Sequence, residues 1–471
     1  MSYDTSPLIF EEHSAVLAEW WQRGLRGKTL VYLDAHLDLQ YITPLRLKKL
    51  LDADSITTVR SLEKPSHLLP DGDYVHSLEN FLYPASRLGI IDHLIWVAPP
   101  HIEVGLSPSV IEHVQQMDSI TFKELTSFKQ SEGGWIEGRL AGLHITICRL
   151  EHLSFIDLPS ELLLDIDTDF FVTLPQDHAW IDPAKAYYLL QKAILKPDLI
   201  TVSRSVSSGF MPLRYHYFAD YLKALFEQDQ PVAAHFETLL QLDRSNESRP
   251  LTYQQCIHEL QHHPHCAATH YLCARYAANP ESHLIDAAKL CQAYADDPFQ
   301  MASETANRHL ETPVSELNRL AHILAQSPPI AGDIRFVALG LAYAERGISD
   351  HALHCYQLYG LPHPALALAI AEQLAGDTNH PQLFGLLTTA ITEDASAPLA
   401  HQLLARFHVN IGNIDEAKAQ FEKAHARAPA WLEPLRGLAT LHAKTEPNGT
   451  TNLFAIKLSE QIHALRMLLT A

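Results

Sequence analysis

Short apolar runs alternate with helix-spaced stretches through the first half of the chain. Thr29-Leu30-Val31-Tyr32-Leu33 is continuous and partly β-branched, which is how a strand buried on both faces of a parallel sheet reads. Residues Asp92–Ala98 (before the break Pro99-Pro100), Leu143–Cys148, Glu161–Asp167 and Asp198–Ser203 read the same way. Helical patterns separate them. Glu11–Leu25 carries Val16, Leu17, Trp20 and Trp21 on one face and is ended by Gly24 and Gly27. Leu45–Leu51 is predicted as a short helix and Pro183–Leu195 as a longer one. This alternation predicts an α/β domain: an open parallel sheet with helices on both faces. Ligands bind such sheets at the carboxyl ends of the strands.

From about Pro231 the strand-like runs cease, and Ala and Leu at helical spacing dominate. An all-α domain over 231–471 is therefore expected after the α/β domain over 1–230. Two segments within it share one spacing. The first has Gly340, Tyr343, Gly347, Ala352, Tyr356, Tyr359 and Pro364; the second has Ala405, His408, Gly412, Ala417, Phe421, Ala424 and Pro429. In both, 7 residues lead to the second glycine position, followed by steps of 5, 4, 3 and 5. The pattern resembles the tetratricopeptide helix–turn–helix repeat. A degenerate unit is expected between the two segments, and Ala287, Cys291 and Pro298 suggest a further one. Such arrays bind peptides or proteins on a concave face. A plain bundle that only packs on the first domain is the alternative.

At 471 residues the chain is long enough for two or three domains, and 47% hydrophobic with 19% charged residues describes a globular protein with ample core. A net charge of −20 without a basic stripe argues against a nucleic-acid or anionic-membrane surface. The N-terminus lacks a signal-peptide pattern and no apolar run approaches membrane-spanning length, so a cytoplasmic setting is expected. The six cysteines form no C-x-x-C pair and read as reduced thiols.

Two of the strand ends are acidic: Asp34-Ala35-His36-Leu37-Asp38 and Asp165-Ile166-Asp167-Thr168-Asp169. Alternate residues of an extended stretch point the same way. Four carboxylates on one edge would repel and raise one another's pKa, and two divalent cations would neutralise them. Oxygen and imidazole donors without thiolate favour Mn²⁺, Fe²⁺ or Zn²⁺ over Cu⁺, and bridging carboxylates suit Mn²⁺.

Leu33-Asp34-Ala35-His36-Leu37-Asp38 resembles the D-A-H-x-D motif of arginases and related ureohydrolases. Leu164-Asp165-Ile166-Asp167 resembles their later D-x-D strand end, and His13, 21 residues before Asp34, matches their preceding histidine. With Glu12-His13 and the series through Asp169-Phe170-Phe171, residues 8–220 are similar to an atypical arginase-like family. That family includes the peptide arginases of ribosomal-peptide maturation, which convert arginine residues of a peptide to ornithine and urea. The resemblance implies a three-layer arginase/deacetylase-like α/β domain holding two Mn²⁺ per chain. His13, Asp34, Asp38 and Asp165 would hold one ion, and His36 and Asp167 the other, with Asp34 and Asp165 bridging. Asp169 is left to ligate, to orient a ligand from behind, or to receive the leaving-group proton.

The chain departs from free-arginine arginases after the first motif. Leu39-Gln40-Tyr41-Ile42-Thr43-Pro44 replaces the polar loop that grips the amino acid's α-groups, and no Asn-Leu-His-Gly follows. A substrate whose α-groups are tied into peptide bonds fits that change. Glu79, in Ser77-Leu78-Glu79-Asn80, is the expected guanidinium partner, with Asn80 beside it. His76 and His67 are possible proton carriers or plain loop histidines. Ser205 and Ser207, in Ser203-Arg204-Ser205-Val206-Ser207, end a strand and would orient substrate or cap a helix. The His262-His263 pair reads as structural or exposed. Three functions follow: a manganese hydrolase of peptidyl arginine, an amide deacetylase or other amidohydrolase on the same fold, and a repeat scaffold with a structural metal site.

Overall fold

The apolar runs meet in one sheet of eight strands. In chain order the strands are β1 (Leu8–Phe10), β2 (Lys28–Leu33), β3 (Ile91–Val97), β4 (Lys129–Gln130), β5 (Ile136–Leu140), β6 (Leu143–Cys148), β7 (Leu162–Asp167) and β10 (Leu199–Ser203). β8 (Val172–Thr173) and β9 (His178–Ala179) form a separate two-stranded hairpin. The large sheet has the order β1-β10-β7-β2-β3-β6-β5-β4, parallel from β1 to β6 and antiparallel beyond. This computed structural model describes residues 6–173, 178–194, 196–245, 247–295, 314–326, 328–377, 379–391, 397–445 and 452–470; Leu195 and Pro298, used above, lie outside the described residues.

The chain leaves the central β2–β7 pair in opposite directions. β3 follows β2 on one side, and β10 follows β7 on the other. Such a switch point opens a crevice at the strands' carboxyl ends. The fold class is α/β, as the alternating pattern predicts.

Alternate side chains divide the core between the two faces of the sheet. Leu164, Ile166 and Val202 pack with Phe170 and Phe171 on one face. Leu30, Tyr32 and Leu163 pack with Val16, Leu17 and Trp20 on the other. The helix expected over Glu11–Leu25 is shorter. Glu12 is extended, a 3₁₀ turn covers His13–Ala15, and the α-helix runs Val16–Gln22. That entry sets His13 against the sheet edge instead of within a helix.

Beyond β10 the regular elements among the described residues are helices. The first of them share the sheet's core: Phe236, Leu239, Cys256, Cys273 and Tyr294 belong with Phe170 and Val202. A separate core lies further on, around Leu339, Tyr343, Leu366, Ile370 and Leu386. The matched spacings form matched helix–turn–helix units, Ile334–Glu345 with Ser349–Tyr359 and Pro398–Asn410 with Ile414–Arg427. Gly347 (φ 68°) and Gly412 (φ 82°) make the left-handed turns, which only glycine adopts without strain.

The two cores are tied together. The Leu68 side chain, from a loop of the α/β part, is buried in the helical core, and its carbonyl accepts from His363 Nε2 at 2.8 Å. Arg427 pairs with Asp118, Nε lying 3.0 and 3.1 Å from its two oxygens. Leu465 and Leu468 pack back into the core beneath the sheet. No helix among the described residues is long and apolar enough to cross a membrane. Leu68 is 2% exposed and Leu45 70%. Leu68→Ala should therefore cost about 2–5 kcal/mol in urea unfolding, and Leu45→Ala less than about 0.5 kcal/mol. Equal costs would contradict this packing.

Candidate metal centre

Four adjacent strand ends, β1, β10, β7 and β2, carry the acidic edge. Leu163, Asp165 and Asp167 alternate onto one face of β7. In register, Asp165 lies between Thr201 of β10 and Tyr32 of β2, and Asp167 lies beside Ser203. The loop after β10 is stitched to β1, with Arg204 N donating to Phe10 O and Ser205 N to Glu11 O, both at 3.0 Å. This brings His13, just beyond β1, over the end of β7.

His13 is held from both sides. Nε2 donates to Asp165 Oδ2 at 2.8 Å, and Asp165 Oδ1 accepts from the Thr201 hydroxyl at 2.5 Å. Nδ1 faces Asp34 Oδ2 at 3.0 Å, Asp167 Oδ2 at 3.1 Å and Asp38 Oδ2 at 3.4 Å. Across the crevice His36 Nδ1 lies 2.8 Å from Asp169 Oδ2 and 3.6 Å from Asp34 Oδ1. Two groups of possible metal ligands result: His13, Asp34 and Asp167, and Asp34, His36 and Asp169. Asp34 belongs to both and turns one oxygen to each.

The division differs from the expected one in three residues. Asp165 lies behind His13, with Oδ2 on Nε2 and Oδ1 on the Thr201 hydroxyl, and belongs to neither group; its contact orients the ring. Asp167 falls with His13, not His36. Asp169, unassigned by the resemblance, is the carboxylate beside His36. Its Oδ1 also accepts from Ala35 N at 3.2 Å. Asp38 lines the crevice in the left-handed region (φ 44°), which Asp tolerates better than most residues, and accepts from the Tyr32 hydroxyl at 2.8 Å.

The residues fit a cation. His13 Nδ1 and Asp34 Oδ2 are buried and meet no partner in hydrogen-bonding geometry despite their 3.0 Å separation. Adjacent donors around an octahedral ion with bonds of ~2.1 Å also lie about 3 Å apart. Buried His and Asp groups close enough to bind a metal are thus present. In the metal-free protein protons take up part of the charge. Burial opposes protonation of His13, but the charges of Asp165 and Asp167 outweigh it and hold its pKa well above the usual value. Burial works against His36 too, and Asp169 overcomes it. Burial would raise Asp34, yet His13 and His36 bring it down to about 2. Burial and then the charge of Asp34 push Asp38 up to about 7. Burial, then the charges of Asp167 and Asp34, holds Asp169 well above the carboxylate range.

A cavity of about 570 Å³ opens beside the cluster, lined by His36, Asp38, Glu79, Trp96 and Phe210 with apolar residues behind them. Trp96 Nε1 donates to the Asp34 carbonyl at 2.9 Å. Glu79 also lines an adjoining groove, and burial raises its pKa. The other expected residues are placed as follows. The Asn80 amide oxygen accepts from Ser77 N at 2.9 Å and holds that turn, although Asn80 lines the groove. The Ser205 hydroxyl donates to Asp167 Oδ2 at 2.6 Å and so braces that carboxylate. Ser207 is exposed and lies beside half-buried Glu12, whose carboxylate oxygens are shielded from solvent and whose pKa desolvation pushes to about 7. His76 is buried, is held neutral by burial and does not line the cavity. His67 lines the groove, stands 5.4 Å from the Phe210 ring, and is lowered to about 3 by burial and then Lys64. Thr201, Tyr32 and Trp96 are partners that sequence reasoning missed, because within a strand they read simply as β-formers.

Comparison with protein-family models, with characterised proteins and with solved structures returned no match.

Metal ligation needs neutral imidazole and ionised carboxylate, so binding must displace protons from His13, His36, Asp38 and Asp169. Affinity for divalent cations should fall as the pH drops through about 7, where Asp38 takes up its proton. Calorimetry at pH 7 in buffers of different ionisation enthalpy should detect the released protons; identical heats would contradict the assignment. Thr201→Val leaves every proposed ligand in place but frees Asp165, and should weaken metal binding about 10–100-fold.

Proposed function

We propose that the protein is a binuclear metal-dependent hydrolase that converts arginine residues of a peptide to ornithine with release of urea. In this reading the sheet and its helices form an arginase-like domain, and the later helices form a tetratricopeptide-like array. The observation that carries it is Asp34, with one oxygen toward each of two His/Asp groups at the mouth of a cavity that also holds Glu79.

Mn²⁺ suits this mixture of carboxylate and imidazole donors. Two such ions would supply Lewis acidity and a nucleophilic water at neutral pH. His13, Asp34, Asp38 and Asp167 would hold one ion, and Asp34, His36 and Asp169 the other. Glu79 would pair with the guanidinium across the cavity. Its raised pKa means that an incoming cation would draw it back to the ionised form. Water adds at the guanidinium carbon, the bond to the side-chain nitrogen breaks, and that nitrogen leaves as the ornithine amine. His67, neutral and at the groove wall, is better placed than His76 to carry a proton to it.

A peptide substrate is supported by the route into the site. Leu39, Gln40 and Glu79 line both the metal-side cavity and a groove of about 510 Å³. Leu341, His363 and Leu368 of the helical half form part of that groove. A net charge of −20 favours a cationic substrate.

Mn²⁺-loaded protein should release urea from arginine-containing peptides. Asp34→Ala and Asp167→Ala should each lower the rate by about 10³-fold or more, several kcal/mol of lost transition-state stabilisation. Loaded protein that frees no urea from any arginyl peptide would overturn the reading.

A further inference from the structure

The cavity beside the acidic edge has carboxylates and His36 on one side and an apolar lining on the other. Val110 and Val114, on the helix Pro108–Gln116, are four residues apart and share the face that lines it. Ile136 and Leu140 of β5 and Ile147 of β6 add to the lining. Leu140 is buried, whereas Trp96, Val114 and Met117 are only half-buried, so the cavity is a gap left open in the core beneath the sheet. Its walls are held without a ligand. Arg149 Nη1 donates to the Ala98 carbonyl at 3.1 Å and Nη2 to the Ile102 carbonyl at 2.8 Å, which pins the loop after β3. The Ser107 hydroxyl caps the helix by accepting from Val110 N at 3.3 Å. Trp96 commits its one donor to the Asp34 carbonyl, so only its carbon surface is left for the cavity. Phe210 stands with its ring 4.8 Å from that of His36, at the border between the two halves.

We propose that this cavity is a subsite for a large apolar side chain, aromatic or branched aliphatic, carried by the substrate peptide within two residues of the reacting arginine. The proposal rests on the peptide-arginine reading above and names which peptides the site selects. Three observations carry it. The first is continuity. Leu39, Gln40, Glu79, His113 and Met117 line both the cavity and the groove that reaches the helical half, so a chain lying in the groove passes the cavity. An extended peptide advances about 3.3 Å per residue, so a side chain one or two positions from the arginine starts only about 3–7 Å from it. The second is charge. No lysine or arginine lines the cavity, while Asp38, Glu79 and Glu103 do. A substrate carboxylate, whether the α-carboxylate of free arginine or an acidic neighbour, meets no counter-charge there and is repelled. The third is size and chemistry. A volume of about 570 Å³ is that of pockets which enclose a small ligand, far more than a guanidinium at Glu79 would fill. Water against the apolar lining finds few partners, and an apolar side chain that displaces it gains free energy.

The test gives Mn²⁺-loaded full-length protein a set of short peptides, each with a single arginine. They differ only in the two positions on each side of it, which hold phenylalanine, leucine, glycine or glutamate. Urea release and calorimetric binding are both read. The phenylalanine and leucine peptides should exceed the glycine peptide about 10–100-fold in kcat/KM and in affinity, the gain expected from burying one such side chain. The glutamate peptide should fall below the glycine peptide. Val114→Asp should bring the phenylalanine-to-glycine ratio close to one, and Val110→Asp is a second variant on the same face, with circular dichroism to confirm that each folds. Loaded protein that frees no urea yet binds the phenylalanine peptide with this preference would leave the subsite standing and remove the arginine-hydrolase reading. Equal turnover and affinity for the phenylalanine and glycine peptides, no binding of the phenylalanine peptide, or a preference unchanged in the folded variants would overturn the proposal.

Discussion

Four buried aspartates, Asp34, Asp165, Asp167 and Asp169, and the half-buried Asp38 converge on two imidazoles at the end of the central strands. Two like charges 4 Å apart repel by about 4 kcal/mol at an effective dielectric near 20. Several such pairs would rival the whole stability of a domain. Hydrogen bonds relieve part of this. Thr201 serves Asp165, Ser205 and the Asp169 amide serve Asp167, and the Ala35 amide serves Asp169. None of these donors carries a charge. Positive charge must come from protons or cations, and the proton-loaded state explains why Asp38 and Asp169 are raised while Asp34, between both histidines, is lowered.

The fold meets that constraint with register. Thr201, Asp165 and Tyr32 form a row across β10, β7 and β2, and His13 lies over it, its ring stacked on Tyr32 with centroids 5.3 Å apart. A one-residue slip of β7 would turn Asp165 and Asp167 to the opposite face and bring Leu164 and Ile166 to the acidic edge. The apolar partners of Leu164 and Ile166 on that opposite face, Phe170 and Phe171 among them, prevent the slip. Core packing and site geometry are therefore one specification.

Much of this was legible in the residues. The runs that became β2, β3, β6, β7 and β10 are continuous and apolar because both faces of a parallel sheet are buried, so they stand out. β1 is three residues long and β4 two, too short to carry a period. β5 alternates around Gly138 and reads as a loop. Asp34, His36, Asp38, Asp165 and Asp167 were visible from their alternation at strand ends. What alternation does not contain is the third dimension. Nothing in the spacing of Asp165 tells that Thr201, 36 residues later, takes one of its oxygens. Nor does the largely apolar helix around His235 show that a neighbouring helix lays Glu259 against it.

The placement of Asp165 follows from strand geometry. Residues two apart on a strand share a face but stand about 6.6 Å apart. An imidazole set over that face is spanned by the pair, so each carboxylate takes a different ring nitrogen: Asp165 meets Nε2 at 2.8 Å and Asp167 meets Nδ1 at 3.1 Å. Two carboxylates so spaced cannot both reach the open side of the ring. The chain brings a further carboxylate to the crevice by leaving the strand: the 3₁₀ turn Thr168–Phe171 tightens the path, and Asp169 emerges beside His36. The extra aspartate of the Asp165–Asp169 series thus does what Asp165 cannot. It faces His36 across from Asp34, while Asp165 fixes the ring that Asp34 and Asp167 approach.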